Sequence, residues 1–207
     1  MIKARHTPWF QSVFGIYLSW AFRRNFHKME IHGNIVDKDL PLLVIANHMS
    51  WWDGFWMLHL NKKLFKRKFF VMMLEEQLSR NKFLSKLGAF SIKKRSKSAT
   101  ESLNYASNLL KDKSNLFLIF PQGEIQSQHN YPFVFEKGWG RIVLQNENPV
   151  QVVMVANIVD YFSHKKPVLR QYVFSPDETK GFTCDELEEK YNTFYKDCMQ
   201  HQMQNAR

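Results

Sequence analysis

The segment Leu42–Phe55, LLVIANHMSWWDGF, decides both the fold of this chain and the place of its reactive groups. Its first five residues, Leu42–Ala46, are all apolar, which is typical of a strand buried inside a sheet. A helical pattern begins at Trp51. A strand that ends before the turn presents His48 at its carboxyl end, with Asp53 close enough to orient the imidazole. This layout is typical of a general base.

Outward from this segment, short apolar runs alternate with helical patterns, which predicts an α/β fold. We expect a single domain with a largely buried mixed sheet flanked by helices, plus an N-terminal apolar interfacial helix. Strands are predicted near Met29–His32, Leu42–Ala46, Phe69–Met73, Ala89–Ile92, Leu116–Phe120, Val150–Val155 and Val168–Phe174. Helices are predicted at Trp51–Leu60, Glu76–Lys86, Ser98–Lys111, Gly138–Gln145 and Asp185–Met203.

The composition limits the class of protein. A chain of 207 residues with 44% hydrophobic and 15% aromatic residues is long enough for one well-buried core. The net charge of +10 points to an anionic partner, which could be nucleic acid, the anionic leaflet of a membrane or an acidic substrate. The two cysteines, Cys184 and Cys198, are too few for a disulfide framework and favour a reducing compartment.

The N-terminal segment Trp9–Phe22, WFQSVFGIYLSWAF, is apolar around most of its circumference if it is helical. Gln11, Gly15 and Ser19 recur every four residues, so they are expected to form a narrow seam that faces the protein body. Fourteen helical residues reach roughly 21 Å, short of the ~30 Å hydrocarbon core of a bilayer. An interfacial anchor therefore fits better than a membrane span. A buried core helix and a signal peptide are the alternatives.

Residues 1–28 are accordingly expected to form a membrane-interfacial helix, and residues 29–207 the α/β domain. Aromatic residues followed by cations suit a layer of anionic headgroups. We expect the protein to lie on the cytoplasmic face of a membrane as a peripheral or monotopic protein. The predicted membrane contacts are Trp9, Phe10, Phe14, Trp20, Arg23 and Arg24.

Asp53 also has a structural interpretation, because Ser50 to Asp53 has the pattern of a helix capping box with Ser50 as the N-cap. Both roles are compatible, since one carboxylate has several acceptor positions. The same His-to-Asp spacing recurs at His32 and Asp37, which surround the turn signal Gly33-Asn34. We do not expect that second pair to form a site.

Polar groups also follow the predicted strand Leu116–Phe120, where the sequence continues Pro121-Gln122-Gly123-Glu124. Proline and glycine at this spacing predict a sharp turn that exposes polar groups at the end of the sheet, where α/β proteins usually bind ligands. A simple loop is the alternative. The strand Ala89–Ile92 runs into the cations Lys93-Lys94-Arg95, which could hold a phosphate or form a solvated face.

These segments, in this order, resemble the motifs of the glycerolipid acyltransferase family, the lysophosphatidic acid acyltransferase-like enzymes. The resemblance covers most of the range Met29 to Val155. The matching residues are Asn47, His48, Ser50 and Asp53 for the first motif, Gly88–Ile92 for the second, Phe120–Gly123 for the third and Phe135–Gly138 for a following element.

The resemblance implies that His48 and Asp53 catalyse acyl transfer to a hydroxyl of a membrane lipid. The acyl donor would be an acyl-CoA or acyl carrier protein thioester, used as a co-substrate, and no cofactor or metal is expected. No nucleic-acid partner is expected either. The residues assigned to substrate binding are Lys94, Arg95, Phe120, Pro121, Gln122, Gly123, Glu124 and Lys137.

The third motif departs from the family pattern, which commonly has the sequence FPEGTR. Here Gln122, Glu124 and Ile125 replace its glutamate, threonine and arginine. That arginine is implicated in holding the acceptor phosphate, and a carboxylate at Glu124 would repel one. Lys94 keeps a cation at the customary position in the second motif. We therefore expect an acceptor other than plain lysophosphatidic acid, such as an amino-acid-bearing or sugar-bearing lipid.

Other classes of function are less well supported by the sequence. A nucleic-acid-binding module would explain the charge, but the chain has no recognised fingerprint of one. A serine hydrolase would need a GxSxG nucleophile elbow, which the chain lacks. A metal site is poorly supported, because the remaining histidines lack ligand spacing with acidic partners. A non-catalytic lipid-binding protein of the same fold stays open.

Overall fold

The computed structural model describes residues 1–94, 96, 98–140 and 148–205. Within these residues a seven-stranded mixed sheet is flanked by helices on both faces, which confirms the predicted α/β class. The strands are β1 (Lys28–His32), β2 (Leu42–Ala46), β3 (Lys68–Leu74), β4 (Ala89–Ile92), β5 (Asn115–Ile119), β6 (Gln151–Asp160) and β7 (Val168–Phe174).

The order of the strands across the sheet is β1-β7-β6-β2-β5-β3-β4. All neighbours are parallel except β6 and β7, which a short connection joins as an antiparallel pair. Because β2 and β5 are parallel neighbours at the centre, their carboxyl ends meet at one edge of the sheet. His48 and Phe120 follow these two ends, so the topology brings the first and third sequence motifs together.

The strand β6 extends five residues beyond its predicted end, because it pairs with β7 as far as Asp160 and Val168. The polar residue Asn157 interrupts the apolar pattern of β6, so the sequence alone suggested an earlier end. The structure shows that Asn157 is fully buried and satisfied by other polar groups. Tertiary pairing therefore outweighs the local pattern here.

The α-helices are α1 (Pro8–Asn25), α2 (Asp53–Leu64), α3 (Glu75–Arg80), α4 (Ser98–Leu109) and α5 (Cys184–Gln204). The predicted helix Glu76–Lys86 is divided, since α3 ends at Arg80 and a 3₁₀ helix follows at Lys82–Leu87. Gly88 ends this segment with φ +109°, and a Cβ there would lie 1.9 Å from the carbonyl oxygen of Phe69. Glycine is therefore required at the entrance to β4.

The predicted helix Gly138–Gln145 lies largely outside the described residues. Its described beginning is a 3₁₀ turn, Lys137–Trp139. At the C-terminus, Thr183 and Glu186 form a capping box that starts α5.

Two apolar layers cover the two faces of the sheet. Successive side chains of a strand point to opposite faces, and in β2 both sets are buried. Ile45 and Phe117 pack with α4 and α5 in one layer. Val44 and Leu118 pack with α1, α2 and the 3₁₀ helix in the other. A strand that is buried on both faces explains the continuous apolar sequence of β2.

Helix α1 packs against this second layer with one side only. Leu18, Ala21 and Phe22 are buried, and Gln11, Gly15 and Ser19 lie partly buried beside them. The predicted seam thus faces the body, together with larger apolar residues. Among the described residues, no helix is both long enough and apolar enough to cross a membrane.

Candidate active site

His48 and Asp53 form a direct hydrogen bond where β2 gives way to α2. The distance from His48 Nδ1 to Asp53 Oδ2 is 2.7 Å. The Asp53 carboxylate is fully buried, whereas 24% of the His48 side chain is exposed. The carboxylate is the acceptor, so Nδ1 of His48 donates and Nε2 of the neutral ring keeps its lone pair. The sequence therefore placed these two groups within reach of each other correctly.

The same carboxylate oxygen also organises the turn. Asp53 Oδ2 accepts hydrogen bonds from the backbone N–H groups of Met49 at 2.7 Å and Ser50 at 2.9 Å. The predicted capping box is only half formed. The Asp53 side chain accepts from the Ser50 N–H, but Ser50 Oγ accepts from Trp52 N and not from Asp53 N. Asp53 N donates to the Ser50 carbonyl oxygen, and the helix begins at Asp53.

Burial raises the pKa of the Asp53 carboxyl, while the N–H donors of His48, Ser50 and Met49 act in the opposite direction. Three donors on one oxygen are a strong stabilisation of a carboxylate. The geometry therefore fits an ionised Asp53 that fixes the tautomer of His48 and stabilises positive charge on its ring.

Gln122 holds the backbone of His48 in place. Its Oε1 accepts from His48 N at 2.6 Å, and its Nε2 donates to Gln126 Oε1 at 3.1 Å. Gln126 N in turn donates to the His48 carbonyl oxygen at 2.8 Å. Gln122 is only 5% exposed. Its assignment to substrate binding is therefore better replaced by a supporting role behind the histidine.

The other residues of the third motif, Phe120, Pro121 and Gly123, lie next to Gln122. The ring of Phe120 stacks on the His48 imidazole, with 4.4 Å between centroids. Pro121 is buried, and its carbonyl oxygen accepts from Glu136 N at 2.8 Å. The N–H of Gly123 donates to the Phe120 carbonyl oxygen at 3.1 Å in the turn. That N–H is consequently used within the protein.

His48 opens onto a groove of about 550 Å³. The groove extends between α2, β3, the 3₁₀ helix and β4, and its lining is mainly apolar. Gly123, Glu124 and Ile125 contribute to the lining near the third motif. The apolar lining residues are contributed by distant parts of the chain and include Phe55, Leu58, Val71, Met73, Leu84, Leu87 and Ile92. No local sequence signal identifies such a set, so the groove lining could not be predicted from the sequence.

The charged side chains assigned to substrate binding are dispersed around the groove. Lys94 lines it, and its Nζ pairs with Glu136 Oε1 at 2.8 Å and approaches the Gly123 carbonyl oxygen at 3.4 Å. Glu124 also lines it. Lys137 is exposed and does not line the groove. Arg95 lies outside the described residues.

A buried polar network lies behind the histidine and was not foreseen. The side-chain amide of Asn47 donates to Asn157 O at 2.9 Å and accepts from Asn157 N at 2.8 Å. Gln171 Nε2 donates to Asn157 Oδ1 at 2.8 Å, and the Tyr191 hydroxyl donates to Val155 O at 2.9 Å. This network joins β2, β6, β7 and α5 directly beneath the site.

Helix α1 exposes a continuous apolar surface, named here the α1 stripe. It consists of Trp9, Val13, Ile16, Tyr17 and Trp20, of which Ile16 is 74% exposed. Its spacing follows the helical period, so all five side chains share one face. Arg23 and Arg24 follow it and are exposed, and Arg24 lies over the Trp20 ring.

Phe10 and Phe14, which were expected among the membrane contacts, lie half-buried on the side of α1 that packs on the body. Both contact Phe83, and Phe14 also contacts Phe55 at 5.6 Å between centroids. Phe55 in turn contacts the exposed Trp51 at 4.8 Å, and both of these residues line the groove. The inner side of α1 is therefore in contact with the wall of the groove.

The second histidine–aspartate spacing does not form a pair. His32 contacts Glu30 at 3.3 Å, whereas Asp37 forms an ion pair with Arg67 at 2.6 Å. Across the described ranges, no group of three or more His, Cys, Asp or Glu side chains is arranged to hold a metal ion.

Comparisons with known proteins converge on one family. The family model described as Acyltransferase matches residues 28–156, a range that contains His48, Asp53 and the third motif. A 1-acyl-sn-glycerol-3-phosphate acyltransferase of Streptococcus pneumoniae is 28% identical over 116 residues. The match covers 54% of this chain and 42% of that relative. The chain thus spans less than half the length of the curated relative that it matches.

Proposed function

Because the chain belongs to the acyltransferase family, we propose that it is an O-acyltransferase that works at a membrane surface. It moves a fatty acyl group from an acyl-CoA or acyl carrier protein thioester to a hydroxyl of a lysolipid-type acceptor. The observation that carries this proposal is the 2.7 Å His48–Asp53 hydrogen bond, located where the imidazole opens onto an apolar groove.

The proposed reaction needs a base and no covalent enzyme intermediate. Nε2 of His48 takes the proton of the acceptor hydroxyl while its oxygen attacks the thioester carbonyl carbon. Asp53 stabilises the imidazolium that results. As the carbon–sulfur bond breaks, the imidazolium returns the proton to the departing thiolate. The products are an ester and a free thiol.

The groove suits the acyl chain of either substrate. Ligand sites in proteins are typically apolar cavities of about 300–1,000 Å³ with few polar groups that fix orientation, and a groove of about 550 Å³ falls in that range. Its apolar walls can bury methylene groups, each of which favours transfer from water by about 0.8 kcal/mol. An alkyl chain held there leaves its polar end near His48.

The α1 stripe supports attachment to a membrane. An exposed apolar helix face flanked by arginines is the composition of interfacial helices that bind anionic bilayers. Since α1 contacts the groove wall through Phe14 and Phe55, attachment by this face holds the groove close to the lipid. Acceptor and acyl chain then reach His48 without crossing bulk water.

The test is release of free thiol from acyl-CoA by the purified protein, with a panel of lipid hydroxyl acceptors in vesicles. His48→Ala should stay folded and lose about 10²- to 10⁴-fold in rate, because the general base is removed. His129→Ala, which changes another exposed histidine, should keep the wild-type rate. Wild-type turnover by His48→Ala would show that the assigned role is wrong.

The wild-type protein itself decides between the two functions that the sequence left open. Acceptor-dependent thiol release supports the enzyme. The alternative result is that the protein sediments with vesicles but releases no thiol from either thioester with any acceptor. That result would assign the chain to the non-catalytic lipid-binding class.

A further inference from the structure

The charges that line the groove are unevenly balanced. Among the described residues of the lining, the cations are Arg80 and Lys94, and a carboxylate neutralises each of them. Arg80 pairs with Glu76 at 2.6 Å, and Lys94 pairs with Glu136 at 2.8 Å. Glu124 also lines the groove, and it accepts a hydrogen bond from the neutral amide of Gln126 at 3.2 Å. Within this described part of the lining, Glu124 is therefore the charged side chain that no opposite charge balances.

The Lys94–Glu136 pair lies close to the reacting group. A Cβ added at Gly123 would lie 2.8 Å from Glu136 Cγ and 2.9 Å from Lys94 Nζ, so both side chains rest on this glycine. Gly123 belongs to the turn after Phe120, whose ring stacks on His48. The pair and Glu124 thus flank the turn that supports the imidazole, beside the groove onto which His48 opens.

We propose that the acceptor is a lipid alcohol without a phosphate monoester, and that Glu124 and Glu136 select against one that carries it. This inference rests on the proposed acyltransferase function. It concerns only the class of acceptor, so it can fail while the enzymatic function stands.

The physical reason is the charge that a phosphate monoester would bring. Its second pKa is about 6, so it carries a charge of about −1.5 to −2 at pH 7. At Lys94 it competes with the Glu136 carboxylate, which already pairs with that cation, and it is repelled by Glu124. A neutral hydroxyl or an amine on the acceptor instead donates a hydrogen bond to Glu124, whose carboxylate is only an acceptor.

The matched acceptors are a 1-acylglycerol and the 1-acylglycerol 3-phosphate with the same acyl chain, each presented in phosphatidylcholine vesicles. They differ only in the phosphate. With acyl-CoA as donor and free thiol as the readout, the phosphate-free acceptor should have a kcat/KM higher by about tenfold or more. A clear preference for the phosphate-bearing acceptor would overturn the inference and leave the proposed function intact. Absence of thiol release with every acceptor would remove both.

Two variants assign the selectivity to residues. Glu124→Gln and Glu136→Gln should each shift the kcat/KM ratio toward the phosphate-bearing acceptor, by about five- to tenfold for one like charge at about 4 Å in water. Glu178→Gln is the matched control, since Glu178 forms a comparable exposed ion pair with Lys190 outside the groove. Its ratio should equal that of the wild type. An unchanged ratio in both Glu124→Gln and Glu136→Gln would overturn the role given to these carboxylates.

Discussion

At the scale of single residues, the site depends on an acceptor atom that lies behind the histidine. Gln122 binds the N–H of His48 through its side chain, and Gln126 binds the His48 carbonyl through its backbone. Both backbone groups of His48, its N–H and its carbonyl, are thereby held, which fixes the position of the imidazole. Such support positions the group that acts on a substrate without itself touching the substrate.

Gln122→Leu should lower both activity and stability, because it leaves the partly buried His48 N–H without its acceptor. The expected cost in unfolding free energy is about 1–3 kcal/mol, and kcat should fall more than KM changes. Gln122→Glu is the matched control, since a carboxylate still accepts from the His48 N–H, and a flip of the Gln126 amide lets its NH2 group donate to the same carboxylate. Urea unfolding and thiol release measure the two effects. Equal behaviour of both variants would contradict the supporting role.

Sequence reasoning succeeded at this scale where groups are neighbours in the chain. His48 and Asp53 are separated by a single turn of the chain, so their spacing and sequence context were sufficient to predict that they lie close together. Gln122 lies 74 positions from His48, and only the pairing of β2 with β5 brings the two together. Because this contact is long-range, the local pattern indicated substrate binding by Gln122 and not support of the histidine.

At the scale of elements, α1 has two faces in different surroundings. Leu18, Ala21 and Phe22 are buried against the body, and the α1 stripe is exposed. Helical spacing predicted a seam facing inward and an apolar face outward. It did not predict which aromatic residues turn inward, because Phe10 and Phe14 meet Phe83 and Phe55 from other elements.

A double variant, Ile16→Ser with Trp20→Ser, should weaken binding to vesicles that contain anionic lipid. Each exposed side chain that enters the bilayer interface contributes on the order of 1 kcal/mol or more to binding. The partition coefficient for the vesicles should therefore fall at least about tenfold. Sedimentation with vesicles measures the change. Added salt should weaken the binding further by screening Arg23 and Arg24.

Met203→Ser serves as the control for lost apolar surface, since Met203 is 63% exposed on α5. It should bind vesicles like the wild type. Equal loss of binding in the control and in the double variant would contradict the assignment of the membrane-facing surface to α1.

At the scale of the whole molecule, Glu30 links the edge strand to the rest of the fold. Lys28 and Arg170 donate to its carboxylate at 2.7 and 2.9 Å, and these contacts lower the pKa of Glu30 from 4.5 to about 2. Arg170 also bonds Gln202 and the Asn205 carbonyl oxygen. The Glu30–Arg170 pair thus joins β1 and β7, and Arg170 extends the connection to the end of α5.

This pKa shift gives stability a defined dependence on pH. Between about pH 4.5 and 2 the unfolded chain binds the proton and the folded chain does not, so unfolding free energy falls as pH decreases. The Glu30 contribution is fully present above about pH 4.5 and is lost as pH falls through about 2. Allowing for solvent screening, it should amount to about 1–2 kcal/mol.

Glu30→Gln should therefore reduce the unfolding free energy at pH 7, and its difference from the wild type should shrink as the pH approaches 2. Urea titrations over this range measure the difference. Glu189→Gln, at an exposed position of α5, should show no comparable loss at pH 7. A difference for Glu30→Gln that stays constant with pH would contradict the ionic origin.

The fold class and the strand positions could be predicted because alternating apolar runs carry them locally. The order of the strands, the groove and the ion pairs could not, since each depends on residues that are distant in the chain. The Lys94–Glu136 pair is an example, because a cation expected to be available for a phosphate is already occupied by a carboxylate 42 positions away.

The contact from α1 through Phe14 and Phe55 to Trp51 also concerns kinetics. With the membrane attachment proposed for α1, the groove draws its substrates from a two-dimensional pool of lipids. The rate should then follow the mole fraction of acceptor within the vesicle surface. Diluting the acceptor with inert phospholipid at a fixed total amount of acceptor should slow turnover, while enlarging the aqueous volume around saturating vesicles should leave it unchanged.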